Sequence, residues 1–331
     1  MKPPTSLFDR LIGHPRYPWI AIGLSTLLFL APFLVAFAGD ELGELLSGGQ
    51  WRGLLIPPTI IAYILLIAPR MTNQEARVLE SLRSIILIDD ESFGQIVEEN
   101  ATIRLRNELI ALGSGILLGF LSGMVSLEGA FSWLGLIWFL STGLMYGLLL
   151  WAIYVSVVSS RVIAALLRQP LHVDPFDVTP FEAVGRQGLL IALVFVGGIT
   201  ISLLLVAFEP EVFLRPEFWL IYIPLALVPV MLFFLTMYPT HRVIAAAKNR
   251  ELADVQRHLQ HSCRSLLARR DEGQSTDTLP AEINALAAYE TLLQKTRTWP
   301  YNTAMLRTLF FSVLIPGGTI LGRALVEVLF D

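Results

Sequence analysis

A chain of 331 residues that is 54% hydrophobic and only 16% charged, with a mean hydropathy of +0.62, has too little polar surface for an ordinary water-soluble fold. The formal net charge of −4 averages basic segments with acidic ones, so it names no partner, and no nucleic-acid contact is expected. The single cysteine, Cys263, excludes an intrachain disulfide framework.

The apolar residues collect into runs of roughly 20, the length that crosses about 30 Å of hydrocarbon. In chain order they predict seven spans: Trp19–Ala38, Trp51–Ala68, Glu108–Leu127, Phe131–Val158, Gly188–Phe208, Phe218–Tyr238 and Leu309–Leu329. The expected fold is all-α: three transmembrane hairpins plus one final helix. Its parts are an N-terminal segment with the first hairpin (1–69), an amphipathic helix segment (70–107) and the second hairpin (108–160). A connector (161–187), the third hairpin (188–240), a helical hairpin outside the membrane (241–300) and the final span (301–331) follow.

The first run follows Lys2, Arg10 and Arg16 and ends near Ala36-Phe37-Ala38, which resembles a secretory signal. It is longer than a usual signal core and contains Pro32, so a retained span is the reading adopted. Basic residues then set the orientation. Of the 24 Lys and Arg, three precede the first span, five lie in 70–106, three in 161–186 and ten in 242–307. Arg52 and Arg215 fall on the opposite side, and Arg323 lies within the last span. The positive-inside rule therefore places the N terminus and the longer polar segments in the cytoplasm and the C terminus outside, in a cytoplasmic (inner) membrane.

An offset of 81 residues relates two pairs of identical segments. Leu109-Ile110-Ala111-Leu112 recurs as Leu190-Ile191-Ala192-Leu193, and Arg161-Val162-Ile163-Ala164-Ala165 recurs as Arg242-Val243-Ile244-Ala245-Ala246. Each pair opens or closes an expected hairpin, as a parallel internal repeat would. Residues 74–100 carry Val78, Leu79, Leu82, Ile85, Ile86 and Ile88 at near-helical spacing. In the third span Gly115, Gly119 and Gly123 share one face, a small-residue pattern that admits close helix packing, either within the chain or between subunits.

The run from His172 to Glu182 holds Asp174, Asp177 and Glu182, which could ligate a cation. Helix starts explain it better: Thr179 to Glu182 fits a capping box with Pro180 at the first helical position, and Asp174 to Asp177 repeats the pattern. His258, His261 and Cys263 do not share one helical face, so neither a metal nor any other cofactor is expected. Apolar stripes at Leu252–Leu267 and Ile283–Leu293, separated by the polar turn 271–277, predict an antiparallel helical pair.

The last span is the anomalous one. Pro316, Gly317 and Gly318 interrupt the helix, Thr319 follows, and Arg323 and Glu327 stand four apart, close enough to pair on one face. These six residues are the sequence's candidates for a pore or gate. No hydrolase, zinc-protease, nucleotide or dinucleotide motif is present, so no enzyme is expected. The first six expected spans carry no ionisable group at mid-membrane depth, which disfavours an ion-coupled carrier. Two functions remain. One is an oligomeric passive channel or permeation protein with a cytoplasmic helical module for gating or assembly. The other is a membrane-anchored sensor or scaffold that binds a cytoplasmic partner through its helices. The lipid bilayer and further copies of the chain are the expected partners.

Overall fold

A computed structural model describes residues 17–47, 51–101, 105–124, 132–206, 216–272, 275, 278–301, 303–312, 314 and 318. Among the described residues every regular element is a helix: α1 (Tyr17–Ala38), α2 (Leu42–Ser47), α3 (Trp51–Arg83), α4 (Asp90–Ala101), α5 (Leu105–Met124), α6 (Trp133–Leu166), α7 (Thr179–Val206), α8 (Pro216–Asp271) and α9 (Leu279–Lys295). Residues 303–312 are helical as well. Five of these elements, α1, α3, α6, α7 and α8, are long and apolar enough to cross a bilayer, which is compatible with an integral membrane protein. The expected span at Glu108–Leu127 is described as far as Met124, as part of α5. Most of the span expected at Leu309–Leu329 lies outside the described residues.

Two boundaries expected from the sequence are not breaks. α3 passes through Pro69 into the amphipathic segment, and α8 passes through Pro239 into its own. The physics at Pro69 is local. Proline lacks an N–H, so the carbonyl of Leu65, four residues earlier, loses its helical donor. The Tyr17 hydroxyl of α1 donates to that carbonyl at 2.5 Å and restores a partner where lipid offers none. The same contact ties α1 to α3, with Tyr17, Ala21, Ile61 and Leu65 buried between them.

α5 and α6 form the closest helix pair. A Cβ placed on Gly119 would stand 2.8 Å from the Gly143 Cα, and one on Gly115 would stand 2.7 Å from the Gly147 Cα. Backbones this near need glycine on both sides, and dispersion between them replaces contacts with lipid. α3 lies against α1, α6 and α7, and α7 pairs in turn with α8.

At one end of the bundle the helices converge on a second core. Val78 and Leu82 of α3, Phe93 of α4, Val162 and Leu166 of α6, Phe181 of α7 and Ile244 of α8 pack together. Backbone hydrogen bonds from Leu87 to Pro170 and from His172 to Ile85, both 2.9 Å, join the connectors after α3 and α6. Both Arg-Val-Ile-Ala-Ala copies contribute to this core, through Val162, Ile163 and Ile244. The Leu-Ile-Ala-Leu copies differ in surroundings: Leu109 and Ile110 are exposed on α5, whereas Ile191 and Ala192 are buried on α7.

The start of α7 differs from the expected capping box. In place of a bond from the Glu182 N–H to the Thr179 hydroxyl, the Asp177 carboxylate accepts from the Thr179 backbone N–H at 3.0 Å, and Glu182 pairs forward with Arg186 at 3.4 Å. A carboxylate is the stronger acceptor, and hydrogen bonds from the Thr179 side chain and then its backbone hold the Asp177 pKa below the usual carboxylate range.

α9 runs antiparallel to the distal half of α8. Gln256 donates to Glu290 at 2.8 Å, Ser262 to Glu282 at 3.1 Å, and the Lys248 ammonium to the carbonyl of Gln294 at 2.7 Å. After α9 the chain returns to the bundle, where Trp299 stacks on His241 at 3.9 Å between ring centres. Leu309 then packs with Ala192 and Phe233. The outward faces of α1, α5 and α8 are apolar and exposed, from Leu27 and Leu34 through Leu117 and Leu121 to Leu220 and Met231. Such a continuous band is the inverse of a soluble surface.

Candidate functional site

Inside the bundle α3, α6 and α7 enclose a cavity of about 330 Å³, with Ser122 of α5 and Tyr222 and Leu225 of α8 on its rim. Its lining runs from Gly53, Trp138 and Ser202 at one end to Glu75, Ser159 and Gln187 at the other. Trp138 and Ser159 are about 30 Å apart along α6, at about 1.5 Å per residue. The cavity therefore extends along the bundle by roughly the thickness of a hydrocarbon core.

Most of the polar groups gather at its two ends. At the first, Ser202 of α7 and Tyr222 of α8 share a hydrogen bond, and Thr142 lines the wall. At the second, Gln187 Nε2 donates to Ser159 Oγ at 2.8 Å, beside Ser156, Thr72 and Glu75. The wall between is apolar, formed by Leu149 of α6 and Ile191, Val194 and Phe195 of α7. Tyr63 of α3 enters at this level, its hydroxyl against Gly197, where only a glycine leaves room for it.

Among the described residues three buried side-chain atoms have no hydrogen-bond partner: Thr142 Oγ1, Gln187 Oε1 and Thr240 Oγ1. The first two belong to cavity-lining residues, one at each end. Burying a polar atom unpaired is costly in an apolar setting, which sets these two residues apart from the rest of the lining. Behind the wall stands Glu108 of α5, 3% exposed, which accepts a 2.8 Å hydrogen bond from the indole Nε1 of Trp151. Trp151 itself lines the cavity, so a carboxylate outside the lumen orients a group within it.

Of the pore or gate residues expected from sequence, Pro316, Gly317, Thr319, Arg323 and Glu327 are outside the described residues. Gly318 is described, and open space surrounds the position a Cβ would take. Gly115 and Gly119 serve the α5–α6 contact within the chain, and Gly123 follows one turn further along α5.

Sequence reasoning passed over Gln187 because the predicted span began one residue later. A signal was there. Val184, Gln187, Ile191 and Phe195 are spaced three or four apart, so an amide interrupts an apolar helical stripe. Glu108 was placed at a span end, and nothing in its neighbourhood in the sequence distinguishes an inward from an outward carboxylate. Comparison with known proteins finds no family model, no curated protein and no solved structure that matches the chain.

Proposed function

We propose that this chain is a multi-pass membrane protein that provides a passive path for uncharged solutes, running between α3, α6 and α7. In this reading three helical hairpins and a final span cross the membrane. The N terminus and the α8–α9 pair are cytoplasmic, and copies of the chain associate in the bilayer, with α8–α9 as the gating or assembly module. The observation that carries the reading is the cavity itself: it extends along the bundle, with an unpaired buried polar atom at either end.

The chemistry of its wall selects the class of solute. Among the described residues no Lys or Arg lines the cavity, Glu75 is the only charged lining residue, and the middle is mainly aliphatic and aromatic. An inorganic ion would lose its hydration there without replacement ligands, whereas an uncharged molecule loses far less. The apolar middle also serves as a constriction that opens and closes by wetting.

The test is solute uptake by liposomes containing the purified full-length protein. Protein-dependent glycerol uptake without ion conductance is expected. Leu149→Trp, which fills the apolar middle, is expected to reduce uptake at least tenfold. Liposomes that stay tight to glycerol, or uptake that Leu149→Trp leaves unchanged, would overturn the proposal. Tight liposomes would favour a second reading, a membrane-anchored sensor or scaffold. It draws support from Leu267 of α8 and Leu292 of α9, which are exposed on the helical pair.

A further inference from the structure

We propose that the Gln187 end of the cavity binds an uncharged amphiphile bearing one hydroxyl, of the class of a long-chain alcohol. The hydroxyl would sit on the Gln187 amide, with the chain along the α6–α7 wall. This inference rests on reading the cavity as the functional site.

The argument begins at the amide. Gln187 is 4% exposed, and its Nε2 donates to Ser159 Oγ, which leaves the buried Oε1 unpaired. A half-turn of the amide exchanges the roles of its two ends, so the unpaired end is either an acceptor or a donor. A hydroxyl answers both arrangements because it donates and accepts. A ketone, ether or ester oxygen answers only one.

The rest of the molecule follows from the walls. Beyond Gln187 the lining turns apolar through Ile191, Val194 and Leu149. Between there and Thr142, about 25 Å further along α6, the polar groups are few, chiefly the hydroxyls of Tyr63 and Tyr146. A compact polyol would leave this stretch unfilled, whereas an alkyl chain buries against it. The volume of about 330 Å³ would hold on the order of ten waters at about 30 Å³ each, which suits a chain of roughly a dozen heavy atoms.

Charge narrows the head group. Glu75 lines the same end and Glu108 stands behind Trp151, with no cationic side chain among the described lining residues. A carboxylate or phosphate head would find no cationic partner among the described lining residues. An ammonium head would give up its water for a wall that is otherwise aliphatic, aromatic and hydroxylic.

The probe is 11-bromo-1-undecanol, read by quenching of indole fluorescence in the full-length protein in detergent, since Trp138 and Trp151 line the cavity. The comparators are 1-bromoundecane, 11-bromoundecanoic acid and 11-bromoundecylamine. Saturable quenching by the alcohol is expected, about fivefold tighter than by the alkane, the worth of one hydrogen bond. Gln187→Leu is expected to remove that advantage and leave alkane binding unchanged, which also reports that the variant is folded. Ser159→Ala, which spares the amide, is expected to keep the advantage. An alkane that binds as tightly as the alcohol, an acid or amine that binds tighter, or an advantage that survives Gln187→Leu would each overturn the site. The binding measurement is independent of flux. Alcohol binding without glycerol uptake would keep the site and sink the path, and uptake without preference for the alcohol would sink the site alone.

Discussion

Tyr17 shows how one hydroxyl lets a membrane helix carry a proline. Pro69 frees the Leu65 carbonyl in α3, and Tyr17 of α1 takes it. Tyr17→Phe removes the donor and leaves a buried carbonyl unpaired, so a loss of about 1 kcal/mol of stability is expected in detergent unfolding. Pro69→Ala restores an N–H to the same carbonyl. The double variant Tyr17→Phe/Pro69→Ala is therefore expected to recover most of the loss, whereas additive effects would show that the two residues are not coupled through Leu65. Asp89 does comparable work outside the bundle. Its carboxylate accepts from the Ser92 backbone N–H at 3.0 Å and from the Ser92 hydroxyl at 2.7 Å, ahead of α4. These two bonds, the backbone one first, lower its pKa from the usual value. A folded-state pKa below the unfolded one means that the cap's contribution is present above about pH 4 and fades as pH falls through the lowered value. Amide exchange in the first turn of α4, corrected for its intrinsic acid dependence, is expected to accelerate over that range. In Asp89→Asn this acid step should disappear, because the amide keeps an acceptor without titrating.

At the scale of elements, the glycines of α5 can be tested as a packing surface within one chain. Gly115 and Gly119 meet the backbone of α6 at Gly147 and Gly143, so a leucine at either place forces the helices apart. Gly119→Leu is expected to lower the thermal stability of the protein by several degrees, because the displaced atoms are backbone and cannot rotate away. A stable variant with an altered elution volume would instead assign that face to contacts between copies. Much of this level is legible in the sequence. Hydropathy alone locates α1, α3, α6, α7 and the apolar part of α8, and the stripes at Leu252–Leu267 and Ile283–Leu293 lie in the helices that pair as α8 and α9. Proline misleads at Pro69 and Pro239, because its local rule is to end helices, while tertiary donors such as Tyr17 satisfy what it leaves open. The cavity was not legible. Ile191, Leu149 and Val194 are ordinary span residues, and only the juxtaposition of three helices far apart in sequence makes them a wall. The cap at α7 was missed because Asp177 and Thr179 both carry suitable oxygens, and local pattern cannot rank them.

At the scale of the whole molecule, the open quantity is how many times the chain crosses the membrane, and α5 decides it. Its 20 residues span about 30 Å, enough for one crossing. It lies antiparallel to α6, with Leu112 and Gly115 level with Gly147, and Gly119 level with Gly143. Its one buried carboxylate, Glu108, is bonded to Trp151 near one end rather than left at mid-depth. These features support a crossing in the proposed topology, whose direction follows from the positive-inside rule, since 21 of the 24 Lys and Arg fall in segments assigned to one side. Parity makes this measurable. With α5 inserted, five crossings separate residue 41 from residue 274; without it there are four. In a Cys263→Ser background, Glu41→Cys is expected to react with a membrane-impermeant maleimide on intact cells. Gln274→Cys is expected to react only after the membrane is opened. Labelling of both positions from the same side would remove α5 from the bilayer and leave α6 without its partner there. Labelling of position 274 alone from outside would invert the molecule and place the Gln187 end of the cavity at the outer face.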